Sequence, residues 1–312
     1  MARRMTMWET DVRRGMVVGI GLTALIVVLD IAALWWVIYL AGVYGTITFW
    51  TFVVGLGILF SLFLLGLMAY WLYGLFLSRY LLDRNELVIQ WGAVQQVIPM
   101  GQVEVVFTGE EVEGPIHFTG GKWPGHSVGF GQVPIPGGDP TPAMFYGTVS
   151  PQWQIYIATP GLVYGISPAQ RDDFLESFQK RMEMGPTQVV EQVTHRPGFL
   201  SWGIWQDRLA LGLLVVGILS IFALIGLVTF RYPSLDLVIP LHFDAVGDPD
   251  RWGPRVQVFV TPLIGVLTML SNGVLGGLAY RRERMISYLL WGGAVLVQLL
   301  VWMATIGLLG IG

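Results

Sequence analysis

Hydrophobic residues fall in long unbroken runs towards both ends of this chain and in short alternating patches in its middle. Residues 209–230 (LALGLLVVGILSIFALIGLVTF) hold no charged side chain, and similar runs occupy about 16–41, 48–77, 257–280 and 286–309. About 20 consecutive apolar residues suffice to cross the hydrocarbon core of a bilayer, so the pattern predicts five transmembrane helices. A polar stretch, roughly 79–208, separates the second run from the third. There the period shortens. Residues 80–82, the turn Asp83-Arg84-Asn85-Glu86, then 87–91, 93–99 and 103–107 read as strands of an antiparallel meander. Residues 108–150, rich in Gly and Pro, predict loop with short strands near 126–133 and 143–148. Thr159-Pro160-Gly161 joins 154–158 to 162–166 as a hairpin. Ser167 is placed to cap a helix with Pro168 in its first turn and Phe174, Leu175, Phe178 and Met182 as its apolar stripe, ended by Gly185-Pro186.

Composition supports a membrane protein: 54% of residues are hydrophobic and 12% charged, with a mean hydropathy of +0.62, whereas soluble domains carry about 25% charged residues. The absence of cysteine excludes disulfides, thiolate metal sites and a cysteine nucleophile. A net charge of −3 argues against nucleic acid as a partner. The placement of arginine says more. Arg13 and Arg14 precede the first run, Arg79 and Arg84 follow the second, and Arg281, Arg282 and Arg284 separate the fourth from the fifth. Basic residues collect on the cytoplasmic side. This predicts a multi-pass protein of a bacterial cytoplasmic membrane with its N-terminus inside, the 79–198 region in the cytoplasm and the 231–256 loop outside. The first run is longer than a cleavable signal core and reads as a retained helix. Residues 199–206 (FLSWGIWQ) read as an interfacial segment leading back into the membrane. The organisation expected is therefore an N-terminal transmembrane hairpin (1–78), an inserted mainly-β domain capped by a C-terminal helix (79–198) and a three-helix membrane domain with an outer loop (199–312).

Two stretches resemble known families. YLLDRNELVIQWG with IPMGQVEVV, the Trp123-Pro124-Gly125 region and VYGISPAQRDDFLESFQKRM resemble the pleckstrin-homology-like (PH-like) domains of bacterial membrane proteins over about 79–185. That resemblance implies a partly open barrel of about seven strands with a terminal helix. Lipid-binding members of the wider fold hold phosphates with basic residues near the first hairpin. Here that turn is Asp83-Arg84-Asn85-Glu86, and residues 80–198 carry six basic and twelve acidic side chains. Anionic headgroups repel such a balance, so a protein partner, or a bracing role, is expected rather than phosphoinositide recognition. The second stretch, IPLHFDAVGDPDRWGPR at 239–255, resembles the membrane domain of unknown function in SdpI-like immunity and signalling proteins, over about 209–280.

The outer-loop residues Pro240, His242, Asp244, Gly247, Asp248, Asp250 and Trp252 are the candidate site. His242 with the three aspartates has the donor types for a divalent ion. The same residues also suit a folded turn, with Asp side chains capping it and Gly247 at positive φ, and this reading is preferred; no metal or other cofactor is expected. Asp30 is the one charge deep inside a span and is costly there unless it faces protein or water. Asn272 and Gln298 are candidate partners for it. No zinc-type His spacing, nucleophile elbow or phosphate-binding loop occurs, so no catalytic residue is expected. The function expected is non-enzymatic: a membrane-anchored binding, signalling or scaffold protein with some likeness to toxin-immunity proteins. The alternative is a small transporter or channel built on Asp30.

Overall fold

The computed structural model describes residues 5–45, 47–195, 202–244 and 246–310. The chain folds as two compact units, residues 1–29 with 61–201 and residues 30–60 with 202–312.

The first unit begins with an element that the apolar pattern did not indicate. Strand β1 (Thr6–Glu9) precedes the long helix α1 (Arg13–Tyr44), whose first half belongs to this unit; helix α2 (Phe49–Phe76) returns and runs almost directly into β2 (Arg79–Leu82). β1 pairs antiparallel with β2, Thr6 opposite Leu82 and Glu9 opposite Arg79. The expected meander follows as β3 (Glu86–Trp91) and β4 (Val94–Pro99). The chain then crosses to a second sheet made of β5 (Val105–Thr108), β6 (His117–Trp123), β7 (His126–Pro134), β8 (Pro140–Gly147), β9 (Ile155–Thr159) and β10 (Leu162–Ile166). Helix α3 (Arg171–Met184) and strand β11 (Val193–His195) close the unit. The sheets have the orders β1-β2-β3-β4-β11 and β5-β9-β10-β8-β7-β6.

Between the sheets lies one core: Tyr80, Leu82, Leu87, Ile89 and Ile98 from the first, Ile155, Ile157, Tyr164 and Ile166 from the second, and Phe174 and Phe178 from α3. The two phenylalanines are fully buried, which contributes about 2–3 kcal/mol each. α3 thus closes the curved sheets as the PH-like resemblance implied.

Three details correct the sequence reading. Helix α3 starts at Arg171 with Gln170 as its cap, not at Ser167-Pro168. Ser167 is held elsewhere: its Oγ accepts the Thr148 N–H at 2.6 Å, its own N–H donates to the Tyr80 hydroxyl at 3.1 Å, and Pro168 bridges Thr10. The strand read at 103–107 does not continue the meander, because β5 pairs with β9 in the second sheet, where β8 and β10 run parallel. The stretch read mainly as loop holds three strands, and β6 was not anticipated. Its Gly content masked it, yet close pairing is what those glycines permit: a Cβ on Gly120 would lie 2.4 Å from the Val128 carbonyl oxygen of β7.

The second unit holds helix α4 (Arg208–Arg231), the hairpin β12 (Val238–Phe243) and β13 (Pro249–Pro254), then α5 (Val260–Ala279) and α6 (Arg284–Leu308). α4, α5 and α6 pack as a bundle through small residues and polar ties, the means available where lipid is as apolar as leucine. A Cβ on Gly217 would meet the Met269 sulfur at 2.6 Å, and one on Gly276 would meet Trp291 Nε1 at 2.3 Å. Ser287 Oγ donates to the Gly276 carbonyl at 2.8 Å, Trp302 Nε1 to Ser220 Oγ at 2.9 Å, and Thr305 Oγ1 to Thr261 Oγ1 at 2.9 Å.

Among the described residues, five helices are long and apolar enough to span a bilayer: Arg13–Val43, Phe49–Phe76, Arg208–Ser234, Arg255–Ala279 and Arg284–Leu308. Side chains such as Val17 and Phe63, each 67% exposed, lie on these helices; apolar exposure on that scale suits hydrocarbon rather than water. The interfacial segment expected at 199–206 is described only in part. Residues Gly203–Gln206 form a single 3-10 turn, while 199–201 lie outside the described residues.

Candidate functional site

The 239–255 motif forms the β12–β13 hairpin. Pro240 stands opposite Trp252, and register shifts on either side of His242 bend the ladder. Phe243 and Pro249 close the pairing, so Asp244, Gly247 and Asp248 make the turn. Asp244 organises it: its carboxylate accepts the N–H groups of Val246 at 2.8 Å and Asp248 at 2.9 Å, and its backbone N–H donates to the Asp248 carbonyl at 2.9 Å. These backbone donors, that of Asp248 foremost, hold the Asp244 carboxyl below its usual range. Gly247 supplies φ +97°. His242 Nδ1 donates to Asp250 Oδ1 at 2.6 Å. Trp252 is 59% exposed.

The structure therefore brings His242 together with Asp250, and Asp244 with the Gly247-Asp248 turn, as a folded turn requires. Among the described residues, no three His, Asp or Glu side chains converge as a metal site would need. Asp30 sits on a different element, in the middle of α1. Of the amides considered as its partners, Asn272 Nδ2 donates to the Thr268 carbonyl one turn back in its own helix at 2.9 Å, and Gln298 Nε2 donates to the Gly265 carbonyl at 2.8 Å.

Sequence reasoning passed over two further constellations. At the foot of the bundle Asp207 caps α4, accepting the N–H groups of Leu209 and Ala210 at 3.1 Å each. Its other oxygen accepts the hydroxyls of Tyr280, at 2.6 Å, and of Tyr288. The bond from Tyr280, then those from Tyr288 and the helix N–H groups, hold the Asp207 carboxyl at about 2. A carboxyl depressed in the fold adds stability above its unfolded value of 3.8 and loses that contribution as pH falls towards 2. Asp207→Asn is thus expected to melt below the parent at pH 6, with the gap closing as pH falls through that window. Parallel thermal melts in one detergent check this, and a gap independent of pH would contradict it.

The second constellation lies in the first unit, where the β6–β7 turn meets the start of α1. Trp123 Nε1 donates to the Gly15 carbonyl at 3.0 Å. His126 stacks on Trp123 with ring centroids 3.8 Å apart, and Trp71 of α2 flanks both. His126 Nδ1 donates to the Gly121 carbonyl at 3.0 Å, and burial lowers its pKa to about 4, so the ring is neutral. Beside this turn opens a cavity of about 710 Å³ lined by Asp11, Arg14, Lys122, Ser127, Thr148 and Trp153, among others. The one available signal was Lys122, one of only two lysines in the chain.

The basic side chain of the first hairpin has another task. Arg84 donates to the carbonyls of Gly185, at 2.7 Å, and Met184, at 2.5 Å, and so caps the C-terminal end of α3.

These features define a multi-pass membrane protein with a PH-like β-domain inserted between its apolar helices. Residues 78–182 match the family described as the bacterial PH domain, and residues 218–266 match a domain of unknown function, DUF1648. The second match takes in the whole β12–β13 hairpin with parts of α4 and α5. No curated protein and no solved structure matches the chain.

Proposed function

We propose that this is a non-enzymatic, membrane-anchored binding protein whose PH-like domain faces the cytoplasm and recruits a protein partner. One observation carries the reading. β6 ends the six-stranded sheet, and among the described residues no strand pairs with its outer side. Thr119 and Gly120 are exposed on it, and Phe130, cross-strand from Thr119, is 64% exposed. An open strand edge beside an exposed aromatic ring suits an extended segment of another protein, which would add main-chain hydrogen bonds and seat a side chain on the ring. The acidic balance of 80–198, and the engagement of Arg84 at the end of α3, disfavour phosphoinositide as the ligand of the first hairpin.

The test places a photo-crosslinking residue at Thr119 or Phe130 of the full-length protein in native membranes, with Gly137 in the β7–β8 turn as the control position. A discrete adduct is expected from the first two sites and none from the third. Absence of any adduct at Thr119 and Phe130 would remove the proposal.

A further inference from the structure

The cavity at the root of α1 has the features of a ligand site, and it lies at the β6–β7 turn rather than at Thr119 and Phe130, on which the partner reading rests. We propose that it holds the phosphate of a bilayer glycerophospholipid from the leaflet that faces the PH-like domain. Arg14 lies in the first turn of a membrane-spanning helix, and the Trp123–Gly15 hydrogen bond fastens the β6–β7 turn beside it, so the cavity opens at the level of lipid headgroups. Two cations, Arg14 and Lys122, line it, and neither forms an ion pair among the described residues. One carboxylate, Asp11, opposes them, and its Oδ1 accepts the Arg13 N–H at 3.3 Å. The surplus is a single positive charge, which balances a phosphodiester monoanion.

Ser127 supplies the independent sign of a ligand. It lines the cavity, is 1% exposed, and its hydroxyl has no hydrogen-bond partner among the described residues. A buried hydroxyl without a partner is costly, and a missing ligand is one of its ordinary explanations. Strand register puts this hydroxyl on the same sheet face as Lys122, because β6–β7 pairing sets Lys122 opposite Ser127. A phosphate oxygen would accept from Ser127 while Lys122 and Arg14 neutralise the charge. A lipid fits better than a free phosphate because Val17 and Val18 follow Arg14 at the i+3 and i+4 positions of α1. Val17 is largely exposed, and acyl chains would lie along that face.

Full-length protein extracted in mild detergent and analysed by native mass spectrometry is expected to retain a phospholipid. Lys122→Gln should lower the retained fraction about tenfold and Ser127→Ala roughly fivefold, the losses expected for one charge-assisted and one neutral hydrogen bond. Ser127→Ala removes an unpartnered group, so it leaves the fold intact. Lys180→Gln, on the solvent side of α3 and paired with Glu176, should change nothing. Delipidated protein should then bind a short-chain phosphatidylethanolamine or phosphatidylglycerol but not glycerol 3-phosphate. Equal retention by the parent and both cavity variants would overturn the proposal, and glycerol 3-phosphate binding as tightly as the short-chain lipid would overturn the lipid as its source.

Discussion

Gly125→Val is expected to destabilise the first unit by about 3–5 kcal/mol, the sum of a strained backbone and an overfilled contact. Gly125 has φ +89°, and a Cβ there would lie 2.1 Å from the Gly15 nitrogen and 2.5 Å from its Cα. Neither atom can retreat, since Gly15 belongs to the first turn of α1 and its carbonyl is held by Trp123. Gly137→Ala is the matched control. Its φ is +71° and nothing stands within 4 Å of a Cβ, so it carries only the backbone cost, about 1 kcal/mol. Unfolding curves of the two variants in one detergent, followed by tryptophan fluorescence, measure the difference. Similar losses in both would show that the β6–β7 turn is not seated on α1.

Removing residues 5–10 is expected to cost a similar amount, about 3–5 kcal/mol, comparable to truncating a large core side chain. The deletion takes away the β1–β2 ladder and the edge-to-face packing of Trp8 on Phe174 at 5.5 Å. It also removes the hydrogen bonds of Arg181 to Thr6 at 2.8 Å and of Thr10 to the Ser78 carbonyl at 3.2 Å. Strand β2 would become an open edge, and hydrogen exchange at residues 80–82 should speed up more than at residues 155–159 of β9. Unchanged exchange at β2 would refute the strand's contribution. An excised 79–198 fragment is expected to share the defect, which is why the partner test uses the whole chain.

Much of this architecture was legible because its signals are local. Five apolar runs needed only length and composition. The turn at residues 83–86, the hairpin around Gly161 and the stop at Gly185 needed only residue chemistry near one position. The stripe of Phe174 and Phe178 needed only helical period. The Gly247 turn of the 239–255 motif was readable for the same reason, as Asp and Gly set turn geometry within a few residues. What escaped was set by distant partners. Met7 and Trp8 look like a short tail until β2 provides an edge seventy residues away. Ser167 has the chemistry of a helix cap, but the Thr148 N–H and the Tyr80 hydroxyl compete for it and win. The glycines of β6 and β7 look like loop until the two strands face each other. The cavity is the extreme case: Arg14, Lys122 and Ser127 share no motif and come together only when the β6–β7 turn is pressed against α1.

The chain alone determined that it carries about five runs able to cross a membrane, that a β-rich domain interrupts them, and that the hairpin after the third run is built to turn. Each follows from a free energy paid residue by residue: hydrocarbon transfer for the spans, alternating burial for the strands, and backbone preference for the turn. Tertiary structure alone decided which tail completes the sheet, which serine serves as a strand anchor rather than a cap, and which cations border a common cavity. Those outcomes depend on pairings between residues far apart in sequence, and no local preference distinguishes such a pairing from its competitors before the chain has folded.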